Sequence, residues 1–275
     1  MKNLYRIFTI ILVLLLITLL FLQYNSHSYH SIKLVEAIEN RDFELIEEIV
    51  TDDYMALNTF PSIMPDIWNS IMGIPIEYPL TVACIMGDSE MVKFLLDKGA
   101  CPNIIGHTGK TPLIKSLEVN NKNRFEIAMI LIEYGAQIDY IVPNSKLDSV
   151  MLNSVSIFTS DNSTTIEEGQ GFFDYLWERA DLKRTNMTYL LCNCAYYNNV
   201  YAGTKVLSNT DTEINSTNGL KETPLIKASK NNSYEFAVML LERGANKDLT
   251  DENGKTARDY AEEYGYTELI QLLSE

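Results

Sequence analysis

The chain has 275 residues, 46% of them apolar and 21% charged, with a formal charge of −15. That is enough apolar material for a substantial core. The acid excess excludes the basic footprint that nucleic acid or anionic lipid headgroups require, and only four cysteines and three histidines are available for thiol, metal or imidazole chemistry.

The first 24 residues differ from the rest. Ile7 to Leu22 carries no charge, and Leu4, Tyr5, Gln23 and Tyr24 extend it to about the 20 residues that span a bilayer. The run ends in bulky residues rather than the small ones of a cleavage site, which favours an uncleaved signal anchor over residues 1–24. Residues 4–24 would contact lipid. Lys2 and Arg6 precede the apolar run and no acid appears before Glu36. The positive-inside rule then keeps the N-terminus cytoplasmic and sends the remainder to the periplasmic or extracellular side.

From residue 25 the chain repeats itself. Segment 31–52 reads as a short helix pair, with Ala37 at a small-residue position and Arg41-Asp42 at the turn. Segment 51–77 is an insertion. Its prolines 61, 65 and 75 exclude a long helix, while Phe60, Ile63, Met64, Ile67, Trp68, Ile71 and Met72 are too apolar for a solvated loop. These side chains either pack over the neighbouring helices or form a docking patch that includes Trp68.

Clean copies follow at 78–108, 111–143 and 223–249, with eroded copies at 147–183 and 187–214 and a closing copy at 255–275. Pro79 to Met91-Val92-Lys93-Phe94-Leu95-Leu96 and Gly99-Ala100 aligns without a gap on Pro224 to Gly244-Ala245. Pro79 to Pro112 and Pro224 to Ala257 are both 33 residues. Each copy predicts two helices. Thr111 and Thr223 sit at N-cap positions before a first-turn proline. The small residues Ala83, Cys84, Ala228 and Ser229 allow close helix approach. The apolar residues of the second helix recur at helical spacing, and Gly99, Gly135 and Gly244 occupy left-handed C-cap positions.

Little in this pattern carries chemistry. Gly106 to Thr111 lacks the spacing of a phosphate loop, and Gly-Lys-Thr recurs at 254–256 as a turn before a capped helix. Cys192 and Cys194 lie about 200° apart on a helix, a poor arrangement for one metal. Cys84 and Cys194 share a register with Ser229, as buried small residues. His107 with Cys101 is the sequence-local candidate for a nucleophile and base. An enzyme or metal protein built on Cys192, Cys194 and His107 is the rival reading. The Asn-x-Ser/Thr triplets at Asn162, Asn186, Asn215 and Asn231 would accept glycans only in a eukaryotic secretory pathway.

The Thr-Pro-Leu starts (111–113, 223–225), the small pairs (83–84, 228–229) and the closing Gly-Ala pairs (99–100, 135–136, 244–245) resemble the ankyrin repeat family over roughly residues 31–275. The resemblance implies an all-α solenoid of six to seven helix-turn-helix repeats, some degenerate, behind the N-terminal transmembrane helix. It implies a non-catalytic protein-binding role, with no cofactor, metal or small-molecule substrate. The loop tips and the exposed sides of the first helices would form a concave gripping face. By register the tips are Ile105, His107, Thr108 and Lys110 in one finger and Thr250, Glu252, Asn253 and Lys255 in another. The acidic surface suits a basic protein partner. By analogy with membrane-tethered bacterial proteins of this kind, that partner could be a secreted toxin or enzyme held by an immunity or chaperone protein.

Overall fold

The computed structural model describes residues 13–15, 18, 26, 29–59, 77–119, 121–142, 149–155, 166–183, 185–210 and 212–274. Among these residues the secondary structure is helical apart from turns and one isolated bridge between Ile141 and Ser149. The chain divides into two compact units. One comprises Met1–Ser116 with Glu126–Ala136, and the other Leu117–Phe125 with Gln137–Glu275.

In the first unit, helix α1 (29–39) leads into α2 (Phe43–Asp52), followed by a 3-10 turn (Tyr54–Asn58). The pair α3 (Pro79–Met86) and α4 (Ser89–Asp97) packs together. Asp42 and Asp88 hold the starts of α2 and α4 by accepting from the Leu45 and Met91 amides at 3.0 and 3.1 Å. The helices must be capped this way because eight to ten residues are too few to be stable alone. Met91, Val92, Leu95 and Leu96 are buried, as their helical spacing predicts. Arg41 reaches from the α1–α2 turn to Asp88 and Glu90, both at 2.7 Å. Phe43 meets Phe94 edge-on at 5.1 Å.

The 3-10 turn falls at the start of the expected insertion and closes the end of α4. The Asn58 amide donates to the Gly99 carbonyl at 3.2 Å and its carbonyl accepts from the Cys101 amide at 2.7 Å. Residues 60–76, including Trp68 and the other apolar side chains of the insertion, lie outside the described residues. So does most of the N-terminal apolar run. Of it, residues 13–15 and 18 are described, as helix, and among the described residues no helix is long and apolar enough to cross a membrane.

The third pair is α5 (Pro112–Glu118) and α6 (Arg124–Glu133). In the second unit come α7 (Val150–Ser154) with α8 (Ile166–Arg179), α9 (Met187–Tyr196) with α10 (Val200–Leu207), α11 (Pro224–Lys230) with α12 (Tyr234–Glu242), and α13 (Ala257–Tyr264) with α14 (Thr267–Ser274). First helices form one layer, in which α9 lies against α7 and α11, and α11 against α13. Second helices form the other, with α10 against α8 and α12, and α12 against α14. Helix α8 starts six residues before Phe172, the expected start. Glu167, Glu168, Gly169, Gln170 and Gly171 dilute the apolar pattern there, and burial of Gly169, Phe172, Phe173 and Leu176 holds the helix in place.

Small residues set the spacing of the first-helix layer. Cys194 and Ala195 on α9, Ala228 and Ser229 on α11, and Ala257 and Ala261 on α13 are all buried. The second-helix layer has its own close approach at Gly203. A Cβ there would sit 2.5 Å from Cζ of Phe236, a ring wholly enclosed in the core. Gly203→Ala should therefore destabilise the protein by about 1–3 kcal/mol through overpacking. Gly171→Ala, on the exposed side of α8 where an added Cβ would meet nothing within 4 Å, should stabilise it by up to about 1 kcal/mol. Urea unfolding of the two variants checks the opposite signs.

Candidate protein-binding surface

Among the described residues, three of the turns that enter first helices, those before α5, α11 and α13, share one design. In each, the first residue of a five-residue tip donates its amide to the carbonyl four residues on. The pairs are Gly106 to Lys110 at 2.9 Å, Asn218 to Glu222 at 3.1 Å, and Asp251 to Lys255 at 3.0 Å. The fourth tip residue takes positive φ: 77° at Gly109, 56° at Lys221 and 74° at Gly254. In two of the tips a side chain then fastens the turn. Asn218 Oδ1 accepts from the amides of Leu220 and Glu222 at 2.9 and 3.0 Å. Asp251 Oδ1 accepts from those of Asn253 and Lys255 at 2.9 and 3.1 Å.

Asp251 is buried, and its other oxygen accepts from the Tyr260 hydroxyl at 2.6 Å. Burial alone would push its carboxyl up. The Tyr260 hydroxyl and the two amides outweigh this and hold it below the ordinary range. The tips at 218–222 and 251–255 are joined by a bond from the Glu252 amide to the Leu220 carbonyl, 3.2 Å.

The predicted tip residues divide by environment. In the first unit Ile105 is half exposed, His107 and Thr108 are exposed and Lys110 is partly covered. In the second unit Thr250, Glu252 and Asn253 are exposed, whereas Lys255 is bound to Glu263 at 2.6 Å. Trp68 lies outside the described residues.

Sequence reasoning passed over the buried carboxylates at the base of the tips. Glu77 and Glu222 each stand two residues before the proline that starts a first helix, and each is almost fully buried. Glu222 accepts from Lys230 Nζ at 2.6 Å and from Asn218 Nδ2 at 2.7 Å, with Lys227 Nζ at 3.6 Å. Glu77 has Lys115 Nζ at 3.6 Å and His107 Nδ1 at 3.7 Å. Lys115 and Lys227 occupy the same place, three residues after Pro112 and Pro224. The recurrent Glu-x-Pro and Pro-x-x-Lys spacings were the signal that could have found them.

Around Glu222 the open side of the first-helix layer is aromatic and cationic. Every residue of α11 is buried except Lys227 and Lys230. Lys227 lies 5.5 Å from the Tyr196 ring centre, and Lys230 lies 4.6 Å from that of Tyr260. Tyr260 stacks on Tyr264 at 6.1 Å. Tyr196 and Tyr264 keep 45% and 46% of their surface exposed. Tyrosine is among the residue types that dominate binding energy at protein interfaces.

The rival reading, thiol, metal and imidazole chemistry at Cys192, Cys194 and His107, meets buried thiols. Burial pushes the Cys192 thiol up to about 12 and raises Cys84 and Cys194 as well, which suppresses the nucleophilic thiolate. Among the described residues no group of three His, Cys, Asp or Glu side chains could hold a metal ion. Three of the Asn-x-Ser/Thr asparagines serve the fold. Asn186 caps α9, Asn215 accepts from the Asn246 amide at 2.9 Å, and Asn231 donates to the Lys227 carbonyl at 2.8 Å.

Models for ankyrin repeats match residues 34–141 (three copies) and 206–261 (many copies). The chain is 30% identical over 213 residues to the ankyrin repeat protein YahD of Escherichia coli (strain K12), covering 74% of this chain and 97% of that one. The chain is an ankyrin repeat protein. Among solved structures, the ankyrin repeat protein EF0377 is similar at 26% identity and a TM-score of 0.53, over 71% of this chain and 96% of that one. The human ASB11 ankyrin repeat domain shares the fold at 20% identity and a TM-score of 0.57, over 83% and 90% of the two chains. The stretch between the two family matches holds the eroded ankyrin pairs α7–α8 and α9–α10. Their helices persist without the Thr-Pro-Leu start because Ser149 and Asn186 supply the caps, accepting from Leu152 and Tyr189 amides at 3.2 Å.

The Glu222 cluster ties ankyrin stability to pH. Burial pushes the Glu222 carboxyl up, but the Lys230 and Asn218 bonds and the Lys227 charge win and hold it below its ordinary 4.5. Below that value the unfolded chain takes up a proton that the folded one resists, so this contribution is present above pH 4.5 and is lost as pH falls through the lowered folded value. Glu222→Gln should therefore show a smaller loss of stability than the wild type when urea midpoints are followed from pH 6 towards pH 3.

Proposed function

We propose that this ankyrin repeat protein is a non-catalytic binding module that grips a partner protein through its first-helix faces and inter-repeat tips. The observation that carries the reading is the tyrosine and lysine surface of the second unit. It is built on buried, mutually bonded side chains, so little conformational entropy is lost when a partner docks. The tips with Ile105, His107 and Thr108, and with Thr250, Glu252 and Asn253, are further contact candidates because their side chains face water while their backbones are fixed by internal hydrogen bonds.

In the same reading the module is tethered to a membrane through residues 4–24, with the repeats on the non-cytoplasmic side. The charge-free run from Ile7 to Leu22 and the placement of Lys2 and Arg6 support this.

Crosslinking capture from native cells tests the binding role. The wild type should retain a partner that Tyr196→Ala/Tyr264→Ala binds at least about tenfold more weakly, as expected for interface hot spots. Equal retention by the double variant, with both proteins folded, would remove this face from the function. For the tether, a C-terminal epitope should be cleaved by protease added to spheroplasts or intact cells. Protection until lysis would place the repeats in the cytosol instead.

A further inference from the structure

Lys227 differs from the other cations of this surface. Lys230 donates to Glu222 at 2.6 Å and Lys255 to Glu263 at 2.6 Å, so both are committed within the fold. The Lys227 ammonium approaches Glu222 only to 3.6 Å, and among the described residues no side-chain hydrogen bond reaches it. It is nevertheless three-quarters covered, with 25% of its side chain exposed, held between the buried Glu222 and the half-exposed Tyr196 ring.

An ammonium has three donors and loses hydration when covered, so one whose ion-pair partner in the fold stands at 3.6 Å keeps donors for an acceptor from outside. Its i, i+3 neighbour Lys230 lies on the same face of α11, and these two are the residues through which that helix meets solvent. A partner cation at this point would meet like charge. A carboxylate would meet a donor at short range, beside the half-exposed Tyr196 ring.

We propose that Lys227 is the docking point for an acidic side chain, Asp or Glu, on an extended segment of the partner protein, with Tyr196 packing against the residue beside it. This rests on the protein-binding reading above. It specifies contact chemistry opposite to that suggested by the net charge of −15. The two act at different ranges. Charges beyond about 8 Å are screened at physiological salt, and the local donor decides the contact.

The test is selection of a random-peptide display library on the full-length protein, followed by affinity measurement of the selected peptides. Selected peptides should be enriched in Asp or Glu. Replacing that acid by its amide, or Lys227→Met in the protein, should each weaken binding by about tenfold to a hundredfold, the range for one charge-assisted hydrogen bond. The two changes together should cost no more than either alone. Lys227→Arg should restore most of the affinity. The Lys227 charge also favours the buried Glu222 carboxylate, so Lys227→Met should melt below the wild type and is compared at a temperature where circular dichroism shows both folded, and Tyr196→Ala, which leaves that ion pair in place, provides a second variant on the same subsite. Selection of neutral or basic peptides, or of acidic ones indifferent to Lys227→Met, overturns the acidic subsite while leaving the binding module intact. Selection of no peptide at all counts against the binding module as well.

Discussion

Helices of seven to ten residues are not stable on their own, and nearly every feature of this protein follows from how closely neighbouring first helices can approach. Ala228 and Ser229 on α11 lie buried between Cys194 and Ala195 on one side and Ala257 and Ala261 on the other. A larger side chain at any of these places would push neighbouring first helices of that layer apart. Stacking, not helix propensity, therefore supplies the stability.

Close approach also limits what can face outward. Helix α11 is so enclosed that two lysines are its whole open surface. The carboxylate they share is almost fully buried at the foot of the adjoining tip. Isolated buried charge would be costly. Here Glu222 is reached by two ammonium groups and an amide, and its neighbour tip is fastened by Asp251 in a similar way. The polar network thus belongs to the tips and to the helix face at once, and it fixes the rings of Tyr260 and Tyr264 beside it.

Much of the fold was legible because local chemistry repeats at regular spacing. Thr223 caps α11 through the Ile226 amide at 3.2 Å, and Gly99, Gly135 and Gly244 have φ of 96°, 89° and 85°, as turn chemistry requires. The candidate surface was legible only in part. The tip at 218–222 escaped notice because Lys221, not a glycine, takes the left-handed conformation there. The Tyr196, Lys227 and Tyr260 grouping was invisible because its members come from three different repeats, 31 and 33 residues apart.

The amino-acid sequence by itself determined the repeat unit, the helix starts and stops of the clean copies, the small residues of the packing layer and the family. These are properties of each residue's own backbone and of spacing within one repeat. Tertiary structure alone decided which carboxylates are buried, which lysines donate to them directly, and that Lys227 is enclosed with Glu222 only at 3.6 Å. Burial and pairing depend on side chains that only the stacking of successive repeats brings within reach, and no local pattern encodes that distance.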